Sequence, residues 1–169
     1  MICNGIPKSG THALARACQL LGLTTKHQHT PHAEKSGDRQ ILIARNPRDM
    51  MVSWLRFNRA QVTQGFLIHL FRDFDGHPLR ESFARYEPYL TDGTLVVRFE
   101  ELFTDDGATL QRIADYAGVQ VLDDAYDNIV GLTKTYTGEH SNWRDHWSDA
   151  VEDAWVIAGG LEVEKAWSY

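Results

Sequence analysis

The sequence predicts an α/β fold in which a central, mostly parallel sheet is flanked by helices on both faces. Two observations predict it. Short apolar runs alternate with segments of helical periodicity along the 169 residues, and the best-defined runs end abruptly in polar, turn-forming residues. The composition, 43% hydrophobic and 11% aromatic, is enough for one substantial core but not for two. We therefore expect a single domain over residues 1–169.

Local signals mark the individual elements. The run from Gln40 to Ala44 is typical of a strand buried on both faces. Pro47 and Asp49 suit the first turn of a helix, because proline fits the backbone there and a carboxylate faces the positive end of the helix dipole. Residues 107–117 carry one apolar stripe. In order, the predicted elements are strand 1–5, helix 11–22, a histidine-rich connection 24–32, strand 40–44, helix 48–60, helical segments 62–74 and 79–90, strand 94–99, helices 107–117 and 123–130, an irregular stretch 132–147 and a last helix from about 148.

The turn between the first strand and the first helix has the composition of a phosphate-binding loop. It reads G-I-P-K-S-G-T from Gly5 to Thr11. Backbone N–H groups at the start of a helix lack partners, the helix dipole adds partial positive charge, and Lys8 supplies a full charge. The usual triphosphate loop reads G-x-x-x-x-G-K-[ST], whereas Lys8 precedes Gly10 here. The sequence therefore predicts a P-loop-type three-layer fold that binds a variant, phosphate-containing donor.

A second anion site is predicted where the strand 40–44 ends. Arg45 follows that strand directly, at the edge where open α/β sheets bind ligands. Ser53 lies two helical turns further on, so we expect both side chains to reach one phosphate. Lys8, Arg45 and Arg48 are all expected to face this edge and to form a focused positive field.

Four blocks of sequence carry a family resemblance. They are P-K-S-G-T at 7–11, R-N-P-R-D at 45–49 with Ser53, F-E-E-L at 99–102 with T-L-Q-R-I-A at 109–114, and G-E-H-S-N-W-R-D-H-W at 138–147. Together and in this order they resemble the sulfotransferases of cytosolic and bacterial type, which use 3′-phosphoadenosine 5′-phosphosulfate (PAPS). The chain is unusually short for that family, which predicts an abbreviated acceptor cleft.

The resemblance implies a role for each block. The first block grips the 5′-phosphosulfate of PAPS, the second grips the ribose 3′-phosphate, and the nucleotide product is 3′-phosphoadenosine 5′-phosphate (PAP). Phe99 either packs against the adenine or belongs to the core. No metal is implied. The cofactor-binding candidates are Lys8, Ser9, Gly10, Thr11, His12, Arg45, Ser53, Phe99 and Gly138.

Several positions depart from the family pattern. Phe99 replaces a tyrosine and cannot donate a phenolic hydrogen bond. Tyr136 and Thr137 stand where a basic pair is usual near the 3′-phosphate, so we expect Lys134 or Arg144 to substitute for it. The dimerisation pattern of the cytosolic members is broken as well, at Asp149, so that dimer is not predicted and the oligomeric state is open.

The segment K-H-Q-H-T-P-H at 26–32 supplies the candidates for a general base. Sulfuryl transfer to an alcohol needs a group that takes the hydroxyl proton, and histidine suits that task. His29 keeps the H-x-P spacing of the base that the resemblance implies, with His27 and His32 as alternatives. Solvated loop histidines, or a zinc cluster of all three, are the competing interpretations. Lys8 is the candidate that neutralises the leaving oxygen.

Charge and composition limit the partners. Residues 1–60 carry nine lysines and arginines against three acidic residues, whereas 61–169 carry eight against twenty. The acidic remainder argues against nucleic acid. Neither a membrane span nor a signal peptide is indicated, so a cytoplasmic location is predicted. Cys3 and Cys18 are expected to be buried free thiols rather than a disulfide.

Three classes of function remain open from the sequence. The favoured one is a PAPS-dependent sulfotransferase acting by in-line displacement on a hydroxyl of a small molecule or glycan. The others are a P-loop kinase using ATP with magnesium, and a catalytically idle nucleotide-binding scaffold of the same fold. Aromatic and histidine side chains are candidates to line the acceptor cleft. They are Trp54, Phe57, Phe66, His69, Phe71 and Tyr136.

Overall fold

The sheet has four parallel strands in the part of the chain that the structure describes. The computed structural model describes residues 1–104, 107–121 and 142–169. Cys3 of the first strand pairs with Ile41 of the third, so the loop after Asn4 opens beside Arg45 at one sheet edge. The strands are β1 (Ile2–Asn4), β2 (Lys26–Gln28), β3 (Gln40–Ala44) and β4 (Leu95–Arg98), in the spatial order β2-β1-β3-β4.

Helices cover both faces of this sheet, so the predicted α/β fold is confirmed. Ile41 and Ile43 of β3 face α1 and α5, whereas Leu42 and Ala44 face the other helices. This alternation explains the uninterrupted apolar run, because both faces of a central parallel strand are buried. The helices are α1 (Thr11–Leu20), α2 (Pro47–Phe57), α3 (Gln64–Arg72), α4 (Leu79–Ala84), α5 (Ala108–Ala117), α6 (Asp149–Ile157) and α7 (Gly160–Trp167). Short 3-10 helices lie at His32–Glu34, Glu87–Leu90, Glu101–Phe103 and Asn142–His146.

The start of α2 is fixed by local chemistry. The Asn46 side chain accepts hydrogen bonds from the backbone N–H groups of Arg48 and Asp49, at 3.0 and 3.3 Å. Pro47 occupies the first turn, where its missing N–H costs nothing. These features hold the end of β3 and the first turn of α2 in one fixed geometry, which places Arg45 at the sheet edge.

The structure differs from the predicted elements in three places. The histidine-rich connection contains the edge strand β2, whose polar and largely exposed residues give no apolar signal. The segment 79–90 divides into α4 and a 3-10 helix that contains Pro88. The last helix divides at Gly159, which adopts a left-handed conformation with φ of 79°. The predicted helix 123–130, Gly138 and most of the stretch 132–147 lie outside the described residues.

Two further expectations concern the cysteines and membrane association. Cys3 and Cys18 are free and buried, as expected, with their sulfur atoms 3.8 Å apart. None of the helices in the described ranges is both long and apolar enough to cross a bilayer.

Candidate donor and acceptor site

The loop between β1 and α1 presents an open helix N-terminus. Gly10, at the N-cap of α1, provides no side-chain cap, and the first turn contains no acidic residue. Lys8 and Gly10 adopt left-handed conformations with φ of 73° and 110°. Lys8 therefore holds a backbone conformation that non-glycine residues rarely adopt, as is common where a loop is shaped for a ligand. The N–H group of Ser9 donates to the carbonyl oxygen of Ile6 at 3.0 Å, so the N–H groups that this turn leaves at the positive end of the helix dipole begin at Gly10.

Ser9 has a buried hydroxyl without a partner. Ser9 is 1% exposed, and its Oγ atom has no hydrogen-bond partner among the described residues. A Cβ atom at Gly5 would lie 2.3 Å from that oxygen, and one at Gly10 would lie 2.3 Å from the Phe99 ring. An unpaired buried hydroxyl is costly, and this one packs against Gly5, where a larger residue would collide with it.

Arg45 links this loop to the end of β3. Its guanidinium lies 4.4 Å from the Phe99 ring centroid, and Nη1 lies 3.4 Å from the carbonyl oxygen of Lys8. Burial lowers the pKa of Arg45, while the carboxylates of Asp49 and Glu100 act in the opposite direction. Phe99 is 6% exposed and packs under both Arg45 and Gly10, which favours the core interpretation of that residue.

Lys8 is a cation without a carboxylate partner in the described ranges. Its Nζ atom lies 3.9 Å from the centroid of the Phe57 ring. Burial and the neighbouring charge of Arg45 lower the pKa of Lys8. An anion placed between these two cations would relieve their mutual repulsion.

Two adjoining cavities meet at these cations. The smaller, of about 230 Å³, brings together Lys8, Arg45 and Ser53, as predicted for an anion site. The larger, of about 460 Å³, adds His12, His29 and the loop residues. The smaller is lined by Lys8, Arg45, Asp49, Ser53, Arg56, Phe57 and Asn142. The larger is lined by Pro7, Lys8, Gly10, Thr11, His12, Ala13, His29, Arg45, Ser53, Trp54, Phe57, Asp75 and Phe99.

His29 is held by the backbone of the loop. Its Nδ1 atom lies 2.6 Å from the carbonyl oxygen of Gly5. A carbonyl oxygen only accepts hydrogen bonds, so Nδ1 carries the proton and Nε2 of the neutral ring is left as an acceptor. Asn4 holds the same segment, because its side chain donates to the Thr30 carbonyl at 2.8 Å and accepts from the Thr30 and Gly5 N–H groups, each at 2.9 Å.

The other two histidines of this segment occupy different surroundings. His27 lies on the exposed edge strand, and its ring centroid is 4.1 Å from that of His12. Burial lowers the pKa of His12, and the nearby His27, His29 and Lys8 lower it further. His32 lies 2.9 Å from an Asp92 carboxylate oxygen. Over the described ranges, no group of three or more His, Cys, Asp or Glu side chains is placed to hold a metal ion.

The candidates for the acceptor cleft separate into two groups. Trp54 and Phe57 line the larger cavity. The prediction that Phe71 lines the cleft is wrong, since Phe71 is buried in the core with its ring centroid 5.2 Å from that of Trp155. Phe66 and His69 lie on α3 and line neither cavity. Tyr136 lies outside the described residues.

The prediction that Arg48 faces the anion site with Lys8 and Arg45 is wrong. Its guanidinium pairs with Glu152 and with Glu164, the latter at 2.5 Å from Nε. Three indole rings surround it, with centroids 4.6 to 5.4 Å away; they are those of Trp143, Trp147 and Trp155. Arg48 is therefore a structural cation, neutralised by partners more than 100 positions away in the sequence.

Two residues of the smaller cavity were not predicted from the sequence. Arg56 follows Ser53 by three positions on α2, and Asn142 begins the 3-10 helix Asn142–His146. The sequence did contain a signal for Arg56. It follows Asp49 and Ser53 at intervals of four and three residues, and positions with these intervals share a helix face. Arg144, expected as a substitute cation, stacks 4.7 Å from the Trp143 ring centroid and does not line either cavity.

The parallel sheet, the glycine-bounded loop at its edge and the cations beside it define the class of P-loop-type α/β proteins. Within that class the chain belongs to the sulfotransferase family, because the family model described as Sulfotransferase domain matches residues 27–135, more than half of its length. Among solved structures it is similar to the mouse sulfotransferase SULT7A1 complexed with PAP, with a TM-score of 0.77 and 18% identity. The match covers 98% of this chain and 83% of that chain. No curated protein matches this sequence.

Proposed function

We propose that this sulfotransferase uses PAPS as donor and transfers the sulfuryl group to a hydroxyl acceptor by in-line displacement. The observation that carries the proposal is the convergence of Lys8, Arg45 and Ser53 on one cavity beside the open N-terminus of α1. The similar mouse sulfotransferase is complexed with PAP, which supports the choice of donor.

The donor site divides into two phosphate subsites. The N–H groups of Gly10 and Thr11 hold the 5′-phosphate, and the lack of a side-chain cap and of an acidic residue at the start of α1 supports that assignment. The N–H group of Ser9, which was expected to join them, already donates to the carbonyl oxygen of Ile6 at 3.0 Å. Arg45 and Ser53 hold the ribose 3′-phosphate by charge-assisted hydrogen bonds. The resemblance adds His12 beside the first subsite and Gly138 near the second. Phe99 packs against Gly10 and Arg45 and also lines the larger cavity, so it supports the donor site mainly by positioning these two residues.

The reaction needs a base on one side of the sulfur and a cation on the other. As the acceptor oxygen forms its bond to sulfur, the bond from sulfur to the 5′-phosphate oxygen breaks and PAP is released. His29 takes the acceptor proton at Nε2, the nitrogen left free by the hydrogen bond from Nδ1–H to Gly5. Lys8 neutralises the charge that develops on the leaving oxygen. By analogy with phosphoryl transfer, positioning and charge stabilisation supply most of the catalysis.

The acceptor occupies the part of the larger cavity near His29 in this proposal, because the loop residues Lys8, Gly10 and Thr11 line the same cavity and hold the donor. His29 lines this cavity together with Trp54 and Phe57, and Asp75 is the carboxylate within its described lining. The volume of about 460 Å³ is shared with the 5′ end of the donor, which leaves room for a small acceptor or for the end of a larger one. We therefore propose a small molecule, or the terminal hydroxyl of a glycan, as the acceptor.

Calorimetric titration with PAP, ADP and AMP, on wild type and Arg45→Ala, tests the donor assignment. We expect PAP to bind most tightly and to lose that advantage in Arg45→Ala. Arg72→Ala is the matched control, because Arg72 lies on α3 and lines neither cavity. Preference for ADP would support a kinase instead, and no binding of any nucleotide would support an idle scaffold.

Turnover tests the reaction itself. With sulfur-labelled PAPS and a panel of phenols and sugars, we expect label to appear in an acceptor and to be lost in Lys8→Ala. Tight PAP binding without label transfer to any acceptor, at any enzyme concentration tried, would contradict the enzymatic role while leaving the donor site intact.

A further inference from the structure

We propose that Arg56 is a third cation of the donor site, binding the ribose 3′-phosphate beside Arg45 and held in place by His146. This inference rests on the proposed function, because it assumes that the smaller cavity takes the 3′-phosphate. It concerns a residue that lies outside the four sequence blocks.

The position of Arg56 on α2 places it at the cavity. Arg56 lies three positions after Ser53 and seven after Asp49, so the three side chains share one face of the helix. All three line the smaller cavity together with Lys8 and Arg45. The helix that carries one proposed phosphate ligand therefore carries a second, one turn further along.

The charge of Arg56 is available to an anion. In the described ranges, the one hydrogen bond of its side chain joins Nη2 to the Nε2 atom of His146, at 3.3 Å. A ring nitrogen that accepts this bond is neutral, and no carboxylate pairs with Arg56 within the described ranges. Arg48, two turns earlier on the same helix, is neutralised by two glutamates. The two arginines of α2 thus have different tasks, one structural and one open to a ligand.

Arg45 and Arg56 form a like-charged pair across the cavity. Burial is the main factor that lowers the pKa of Arg45, and the charge of Arg56 lowers it further. An anion bound between two such cations gains from both and relieves their repulsion. A phosphate dianion has enough oxygen atoms for both guanidinium groups and for the Ser53 hydroxyl.

His146 acts as a positioning residue for Arg56. It ends the 3-10 helix Asn142–His146, and the first residue of that helix, Asn142, also lines the cavity. Arg56 is an exposed residue with a flexible side chain, and the hydrogen bond to His146 limits the conformations that it adopts. Tyr136 and Thr137 in the sequence supply no positive charge to this subsite, so Arg56 supplies the charge from α2 instead.

Titration of PAP and AMP into Arg56→Gln tests the inference, because the two nucleotides differ by the 3′-phosphate. We expect the affinity for PAP to fall by about 10- to 100-fold, the range for a hydrogen bond to a charged group. The affinity for AMP, measured by competition, is expected to stay unchanged. Arg72→Gln is the matched control on α3 and is expected to bind both nucleotides as wild type does.

Variants of His146 test the positioning role. We expect His146→Ala to weaken PAP binding by less than Arg56→Gln does, and His146→Gln to restore part of the loss, because a glutamine oxygen also accepts from Arg56. The double variant with Arg56→Gln is expected to bind no more weakly than Arg56→Gln alone.

The possible outcomes separate this inference from the proposed function. If wild type binds PAP tightly, Arg45→Ala loses it and Arg56→Gln does not, the inference is wrong and the proposed donor stands. Equal loss of PAP and AMP in Arg56→Gln would also overturn it, because the effect would then be unrelated to the 3′-phosphate. If wild type does not prefer PAP to AMP, both proposals fail.

Discussion

The Nδ1 atom of His29 lies 2.6 Å from the carbonyl oxygen of Gly5, the first residue of the loop between β1 and α1. The proposed base is therefore fixed to the same stretch of backbone that is proposed to hold the donor. Asn4 reinforces this link through hydrogen bonds to Thr30 and Gly5. A fixed tautomer and a fixed distance from the loop are what an in-line transfer requires of its base.

His29→Ala is expected to lower turnover by about 100- to 10,000-fold, the usual contribution of a general base. PAP affinity should stay within about twofold, because no donor-binding role is assigned to His29. Label transfer from PAPS and PAP titration measure the two quantities. His32→Ala is the matched control, since His32 pairs with Asp92 and lines neither cavity. Full turnover in His29→Ala, with loss in His27→Ala, would assign the base to His27.

Lys8 permits a test that separates its charge from its backbone conformation. Lys8→Ala and Lys8→Gly should each lower turnover by about 100- to 1,000-fold, because both remove the cation that is proposed to neutralise the leaving oxygen. Only glycine relieves the left-handed φ of 73°, so Lys8→Gly should exceed Lys8→Ala in unfolding free energy by about 1 kcal/mol. Denaturant unfolding and label transfer measure the two effects. Equal stability of the two variants would show that the loop relaxes freely.

Gly10→Ala is expected to damage the loop as well as the fold. A Cβ atom there would lie 2.3 Å from the Phe99 ring, and the φ of 110° is poorly suited to alanine. Displacement of the loop should lower turnover by about 10- to 100-fold. Gly22→Ala is the matched control, because its φ is also positive but a Cβ atom would meet nothing within 4 Å. Gly22→Ala should lose stability and keep its turnover per folded molecule.

The sequence predicted those parts of the site that depend on local pattern. The loop from Gly5 to Thr11 and the strand end at Arg45 carry their own signals, and the parallel pairing of β1 and β3 brings them together. The roles of Arg48 and Arg56 were not predictable in this way. Both are arginines on one helix, and only the distant Glu152 and Glu164 determine which of them is neutralised.

The edge strand β2 shows a second limit of sequence patterns. It has three residues, all polar and none buried, so it lacks the apolar period by which strands are recognised. It forms because β1 offers it a backbone ladder, with Cys3 opposite His27. A strand that forms by pairing with a distant segment has no pattern in its own sequence by which it could be predicted. The position of His29, directly after β2, depends on this pairing.

The ion pairs of Arg48 should matter more to stability than those on the surface. Arg48→Met removes a buried cation and leaves Glu152 and Glu164 facing each other without it, so we expect the unfolding free energy to fall by about 3 kcal/mol. Arg80→Met is the matched control, because the Arg80–Glu87 pair is more exposed and should contribute less than about 1 kcal/mol. Chemical denaturation at neutral pH measures both. Equal losses in the two variants would contradict the buried role of Arg48.

Acidification should weaken the fold through Glu152. The hydrogen bond from Arg48 lowers the pKa of Glu152 below its ordinary value of 4.5, so the charged carboxylate stabilises the folded state above that value. This contribution is lost as the pH falls from about 4.5 through the lower pKa of the folded protein. The unfolding free energy of Glu152→Gln should therefore depend less steeply on pH in this range than that of wild type.

Glu162→Gln on α7 is the control, because Glu162 forms no ion pair in the described ranges, and its unfolding free energy should depend on pH as steeply as that of wild type. If the unfolding free energies of Glu152→Gln and wild type change with pH in parallel, the pKa of Glu152 is not lowered by folding and the prediction is wrong.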